Sequence, residues 1–112
     1  KYLEEGRESF GKRYGISYLD IYANNVMAPV VNMDISFKRQ VKYGETIIVE
    51  TEYIDQKAAK LVFDYRILRK SNNELIATAT TTQVFINLDY EMLLYPPEFT
   101  LEWKRKMGLL ET

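Results

Sequence analysis

The sequence predicts an α+β fold: one antiparallel sheet, a helix across its apolar face, and a second helix at the C-terminal end. Three observations carry this. Residues 30–38 alternate strictly, with Val31, Met33, Ile35 and Phe37 on one side and Asn32, Asp34, Ser36 and Lys38 on the other, which is the period of a half-buried strand. Strand-like stretches are separated by brief turn signals such as Tyr43-Gly44-Glu45 and Ser71-Asn72-Asn73. Connections that short join antiparallel neighbours, because a parallel pair needs a long crossover. At both ends of the chain the apolar spacing changes from two to four, the period of helices.

Residues 1–14 read as an amphipathic helix. Tyr2, Gly6, Phe10 and Tyr14 recur every four residues with Leu3 beside them, and Lys1, Glu4, Glu5, Arg7, Glu8, Lys12 and Arg13 take the other faces. Gly15 follows the last periodic residue, where a left-handed cap is expected. Gly6 costs a helix up to ~1 kcal/mol against Ala, a cost that close packing of helix on sheet would offset. Residues 16–28 read as an irregular segment with a turn at Asn24-Asn25. Strands are expected over 46–54, over 60–69 with Leu61, Phe63, Tyr65 and Ile67 on one side, and over 75–87. In the last, Ala77-Thr78-Ala79-Thr80-Thr81-Thr82 is small on both faces. That suits either a helix lying close above it or a polar edge strand. Pro96-Pro97 opens the final helix, Phe99, Trp103 and Met107 are spaced by four, and Gly108 ends it.

At 112 residues the chain fits one domain, 1–112, with a modest core. Nine Tyr, five Phe and one Trp are many large side chains for that volume, so some are expected to finish their burial against another subunit or line a cleft. The net charge of −1 argues against nucleic acid as a partner. No apolar run is long enough for a membrane span, no signal peptide is evident, and cytoplasm is the default location. The chain has no His and no Cys. A Ser-His-Asp or Cys-His arrangement and the common zinc sites therefore cannot be built from it. A hydrolase of this composition would have to work with carboxylates and oriented backbone amides.

The order of elements and several local motifs resemble the 4-hydroxybenzoyl-CoA thioesterase family of hotdog folds. Tyr2-Leu3-Glu4-Glu5-Gly6-Arg7 is similar to that family's helix pattern, and Pro29-Val30-Val31 into Met33-Asp34-Ile35-Ser36-Phe37 resembles the strand after its central helix. Val41-Lys42-Tyr43-Gly44-Glu45-Thr46 resembles the turn before its long strand, and Val84-Phe85-Ile86 its last core strand. The resemblance covers residues 1–87 and implies a hotdog sheet wrapped around a central helix. It implies hydrolysis of an acyl-CoA thioester, with an acyl carrier protein thioesterase or a non-catalytic acyl-thioester binder as alternatives. It also implies a homodimer or homotetramer and no cofactor beyond the CoA of the substrate. In that family a strand and a loop with a catalytic Asp precede the helix. The chain begins at Lys1 with no capping residue, so both are expected upstream of Lys1, in a sequence that is a fragment or has a disordered start; a processed or tagged chain is the other reading.

Within the chain, the resemblance makes Glu4 the candidate for an auxiliary acid–base role; as residues alone, Glu4 also fits a structural pairing with Arg7 or Lys1. The resemblance assigns Lys57 and Lys60, around a hairpin, to the phosphates of CoA, and Ala28, Pro29 and Val30 to the path of the pantetheine arm or acyl group. Ordinary turn solvation and plain core fit these residues equally well. Arg66, Arg69 and Lys70 form a second basic cluster. Lys38, Arg39 and Lys42 form a third, suited to guarding a sheet edge or to receiving an acidic carrier protein. Tyr14, Tyr18 and Tyr22, spaced by four, suit an acyl pocket, core packing or a subunit contact.

Overall fold

The computed structural model describes residues 2–109. Helix α1 (Tyr2–Tyr14) is followed by a short α2 (Tyr18–Tyr22) and by strands β1 (Val26–Met27), β2 (Val30–Phe37), β3 (Ile47–Ile54), β4 (Lys60–Arg69), β5 (Leu75–Val84) and β6 (Ile86–Asn87). Helix α3 (Glu98–Lys106) closes the series. Four strands form an antiparallel sheet in the order β2-β5-β4-β3, and β1 pairs with β6 in a two-stranded continuation. Lys1 and the residues after Leu109 lie outside the described residues, so the helix expected from residue 1 is seen from Tyr2.

The strand order corrects the reading that short turns join all four strands. β3, β4 and β5 do form consecutive hairpins, but β2 and β3 are opposite edges of the sheet. Residues 38–46 therefore cross its end, a span of three strand spacings or about 14 Å. Arg69 fastens this crossover: it pairs with Glu45 and donates from Nη2 to the Gln40 carbonyl at 3.2 Å. The small-residue strand β5 is an interior strand, which rules out the polar-edge alternative. Strand 75–87 also breaks at Phe85, giving β5 and β6.

Residues 16–28 are more ordered than their composition suggested. Ser17 and Asp20 make a reciprocal capping box that starts α2, and Ile21 is buried beneath it. Gly15 has φ +83, as a left-handed helix cap requires.

The core lies between α1 and the sheet and holds Phe63, Tyr65, Ile76, Ala77 and Phe85. α1 approaches the sheet most closely over β3, where a Cβ on Gly6 would stand 2.9 Å from Thr51 Oγ1 and 3.0 Å from Val49 Cγ1. The helix thus sits toward the β3 side, and the β2 side of the same face is left uncovered. Every residue of β2 is exposed, including Met33, Ile35 and Phe37 on its apolar side. The sequence had suggested a half-buried strand. Periodicity correctly grouped the face, but no element among the described residues covers it.

The charged face expected of α1 also needs correction. Its buried row is Leu3, Arg7 and Gly11, with Arg7 only 2% exposed. Tyr2 and Tyr14, assigned to the inward stripe, are exposed. At the other end, Lys104 is buried. It pairs with Asp55 at 3.0 Å and donates to the Gln56 carbonyl. Trp103 Nε1 donates to the Tyr14 carbonyl at 2.6 Å, so α3 is pinned to the end of α1.

Candidate functional site

The offset of α1 leaves an apolar cleft of about 270 Å³ between its first turns and the β2 edge. Leu3, Ile67 and Ile76 form the buried floor; Tyr2, Met33, Ile35, Phe37 and Val41 form exposed walls. Ile76 reaches the floor because the β4–β5 register slips between Ile67 and Leu68, leaving Ile76 as the extra residue of a bulge. The Ile76 carbonyl in turn accepts from the backbone N–H groups of Lys38 and Arg39, fixing the start of the crossover at the mouth of the cleft.

Behind Leu3 and Glu4 lies a smaller void of about 20 Å³, bounded by Arg7, Tyr18, Val30, Met33, Tyr65 and Thr81. Polar side chains stand among its largely apolar walls. Arg7 Nε donates to Gln83 Oε1 at 2.7 Å and Nη2 to the Ile16 carbonyl at 2.9 Å. Gln83 Nε2 donates to the Ala28 carbonyl at 2.5 Å. One guanidinium and one amide therefore join α1, the turn into α2, β5 and the segment entering β2. The guanidinium carbon also lies 4.5 Å from the Phe63 ring centroid. Nη1 has no hydrogen-bond partner and sits over Gly11, where a Cβ would come within 2.7 Å of it. Burial lowers the Arg7 pKa, opposed by the nearby Tyr18, Tyr65 and Glu8. Burial also raises the pKa of Tyr65, whose hydroxyl shares a 2.9 Å hydrogen bond with Thr81, and of Tyr18.

Glu4 is exposed and lines both the cleft and the void. Ala28 is buried, and Pro29 and Val30 are exposed at the entry to β2, with Val30 on the void. Lys57 and Lys60 are exposed at the far end of the sheet, since Lys60 pairs with Val84 while the cleft is at the Ile67–Ala77 end. Within one subunit they do not meet the cleft. The cations beside it are Lys38, Arg39 and Lys42 of the crossover. Arg39 pairs with Glu74 at 3.3 Å, while Lys38 and Lys42 make no ion pair among the described residues. Arg66 pairs with Glu50 across the opposite face and Arg69 is held in the crossover. Tyr14, Tyr18 and Tyr22 do not form one stripe, because the chain turns at Gly15 and places the last two on α2.

Sequence reasoning missed Arg7 and, Glu4 apart, the residues that line the cleft. The signal for Arg7 was present: it falls midway in a four-residue row between Leu3 and Gly11. A larger concavity, about 670 Å³, lies on the other sheet face among Asp34, Glu50, Glu52, Asp64 and Arg66. It is an open, acidic trough, poorly matched to a phosphate-bearing ligand. Among the described residues no cluster of His, Cys, Asp or Glu could hold a metal ion, and no helix is long and apolar enough to cross a membrane.

A family model described as the Thioesterase-like superfamily matches residues 1–103. A Bacillus subtilis (strain 168) protein named "Putative acyl-CoA thioesterase YneP" is 34% identical over 86 residues, which is 77% of this chain and 62% of that protein. The chain thus spans less than two thirds of that relative's length. A hypothetical protein of Thermus thermophilus superposes with a TM-score of 0.78 at 27% identity, covering 98% of this chain and 80% of the other. A DHNA-CoA thioesterase from Staphylococcus aureus gives 0.80 at 22% identity, covering 96% and 74%. The chain belongs to the thioesterase-like superfamily and has its hotdog fold.

Proposed function

We propose that the intact protein is an acyl-CoA thioesterase: water attacks the thioester carbonyl, the C–S bond breaks, and a carboxylic acid and free CoA thiol leave. The observation that carries this reading is the apolar cleft against the first turns of α1, with Glu4 the acidic residue of its lining. An acyl chain placed there loses water along its length, while a carboxylate at the boundary can orient or deprotonate the attacking water. The name of the Bacillus subtilis relative supports the same activity. In this reading Glu4 is auxiliary to a principal carboxylate and a carbonyl-polarising amide supplied by the intact protein. No cofactor is needed for this chemistry.

The lining is hydrocarbon apart from Glu4 and the Tyr2 hydroxyl. Acyl groups without ring hydroxyls suit it best, because a polar substituent would be buried there without a partner. Lys38 and Lys42 at the mouth suit the phosphates of CoA. The functional unit in this reading is a homodimer joined along the open β2 edge, which pairs its unused backbone groups and shelters its apolar side; further pairing into a tetramer and a cytoplasmic location complete it. The test is release of free thiol from a panel of aliphatic and aromatic acyl-CoAs by the intact protein. Aliphatic substrates should be preferred, and Glu4→Gln should lower kcat by about 10²-fold with KM little changed. No thiol release from any member would overturn the reading.

A further inference from the structure

One end of the sheet carries cations that the subunit does not neutralise. The crossover and the turn between β4 and β5 meet there, tied by two arginines. Arg69 pairs with Glu45 and Glu74 and donates to the Gln40 carbonyl, and Arg39 pairs with Glu74. Both guanidinium charges are thereby answered. Lys38, Lys42 and Lys70 are exposed and make no ion pair among the described residues. Three surplus positive charges thus stand at one end of the sheet, in a chain whose net charge is −1.

Lys70 borders an open hollow of about 430 Å³ whose other lining residues are Glu45, Thr46, Arg69 and Ser71. The local sequence explains why its donors are unused. After β4, the Asn72 side chain accepts from the Glu74 N–H and Asn73 takes a left-handed φ of 57, so these two residues shape the turn. Lys70 and Ser71 are left exposed, and Thr46 is held through its backbone, its carbonyl accepting from the Lys70 N–H at 3.0 Å. The side chains of Thr46, Lys70 and Ser71 make no hydrogen bond among the described residues. Glu45 is the one acid of the lining, and its carboxylate is occupied by Arg69 and by the Lys42 N–H. The hollow adjoins the cleft, because Ile47 of the cleft and Arg69 of the hollow are cross-strand partners.

We propose that this hollow binds a phosphate monoester, the 3′-phosphate of a CoA thioester. The Lys70 ammonium supplies the charge, and the Thr46 and Ser71 hydroxyls donate to phosphate oxygens. The inference rests on the acyl-CoA reading above and names what selects the carrier. A phosphate monoester is close to a dianion at neutral pH and offers three acceptor oxygens. One compact cation and two hydroxyls match that demand. Lys38 and Lys42 remain for the diphosphate at the mouth of the cleft. Arg69 touches no phosphate; its ion pairs hold the crossover against the turn and so fix the two sides of the hollow. A carrier protein presents the same pantetheine arm through a single phosphodiester and has no 3′-phosphate. The hollow therefore favours CoA thioesters over carrier-bound ones. Lys57 and Lys60, at the far end of the sheet, take no part.

Titration calorimetry of the intact protein with CoA and with dephospho-CoA, which lacks only the 3′-phosphate, tests this. CoA should bind about tenfold more tightly at low salt, with a smaller margin at high salt. Lys70→Ala, an exposed change that should leave the urea midpoint unaltered, should erase the margin by weakening CoA alone. Ser71→Ala should narrow it, and Lys57→Ala should leave it intact. Equal affinity for the two ligands would overturn the proposal. So would a Lys70→Ala protein that loses both ligands alike, or a Lys57→Ala protein that loses the margin. Inorganic phosphate should compete only at far higher concentration; competition at the affinity of CoA itself would overturn the assignment in favour of a general anion site. In thiol-release assays an acyl-CoA and the same acyl-dephospho-CoA should differ in KM and share kcat. Selective CoA binding by a protein that releases no thiol would leave the hollow standing and remove only the hydrolase reading. Thiol release indifferent to the 3′-phosphate would remove the hollow and leave the hydrolase.

Discussion

The two ends of the layer between α1 and the sheet are built on opposite terms. Where α1 finishes, polar groups are buried and matched: Trp103 with the Tyr14 carbonyl, Lys104 with Asp55, Arg7 with Gln83 and the Ile16 carbonyl. Where α1 starts, apolar groups are exposed and unmatched, along β2 and around the cleft. The first end spends its residues on holding elements in fixed positions. The second keeps hydrocarbon surface available for something outside the subunit. A substitution should therefore unfold the protein at one end and leave it folded but functionally altered at the other.

The largest effect should come from Arg7→Ala, which opens a cavity and orphans two buried acceptors at once. A loss of about 3–5 kcal/mol is expected, read as a lower urea midpoint at unchanged m-value. A loss under about 1 kcal/mol would mean the desolvation cost of the guanidinium already cancels its bonds. Gly11→Ala is next. The added Cβ would meet Arg7 Nη1, the Ile16 carbonyl oxygen and Ser17 Cα, each at 2.7 Å, two of them backbone atoms. About 1–3 kcal/mol of overpacking should appear in thermal unfolding. Alkali probes the same end more gently. Burial, with Asp55 alongside, holds the Tyr53 pKa well above the ordinary 10.0, and burial raises that of Tyr65. The folded state therefore keeps protons that the unfolded state releases, so stability is intact below pH ~10 and declines as pH rises past it. Denaturation midpoints between about pH 9 and 11 should show this decline, and Tyr53→Phe should flatten it. The smallest change in stability belongs to the open end. Phe37→Ser should shift subunit stability by no more than about 0.5 kcal/mol, as exposed sites do, yet raise KM for a medium-chain acyl-CoA several-fold. Unfolding by Phe37→Ser would erase the contrast between the ends.

The sequence showed the elements better than their placement. Leu61, Phe63, Tyr65 and Ile67 marked β4 to its final residues because alternation there coincides with burial on one face. Met33, Ile35 and Phe37 alternate as clearly, yet face solvent. Periodicity tells which side chains share a face and is silent on what lies over it. Tyr43-Gly44-Glu45 announced a change of direction but not that the chain would cross the whole sheet. The cleft follows from that route and from the closeness of Gly6 to β3, both long-range facts. Glu4 could be picked out only through a resemblance, since a glutamate on a helix is ordinary. Arg7 was assigned to water because charge usually is; its buried partner Gln83 is 76 residues away.

The order of strands has a consequence in time. β3, β4 and β5 are successive hairpins whose contacts are local, whereas β2 must find β5 across the crossover and two intervening strands. Closing long loops is slow relative to forming hairpins. The meander is therefore expected to assemble first, with β2 joining late. On a ribosome, Val30–Phe37 would emerge before its partner residues 77–83 exist. Pulse-labelled hydrogen exchange during refolding should protect β4 amides before those of β2; the reverse order would refute this sequence of events. The strand left open in the finished subunit is then also the one that waits longest for a neighbour.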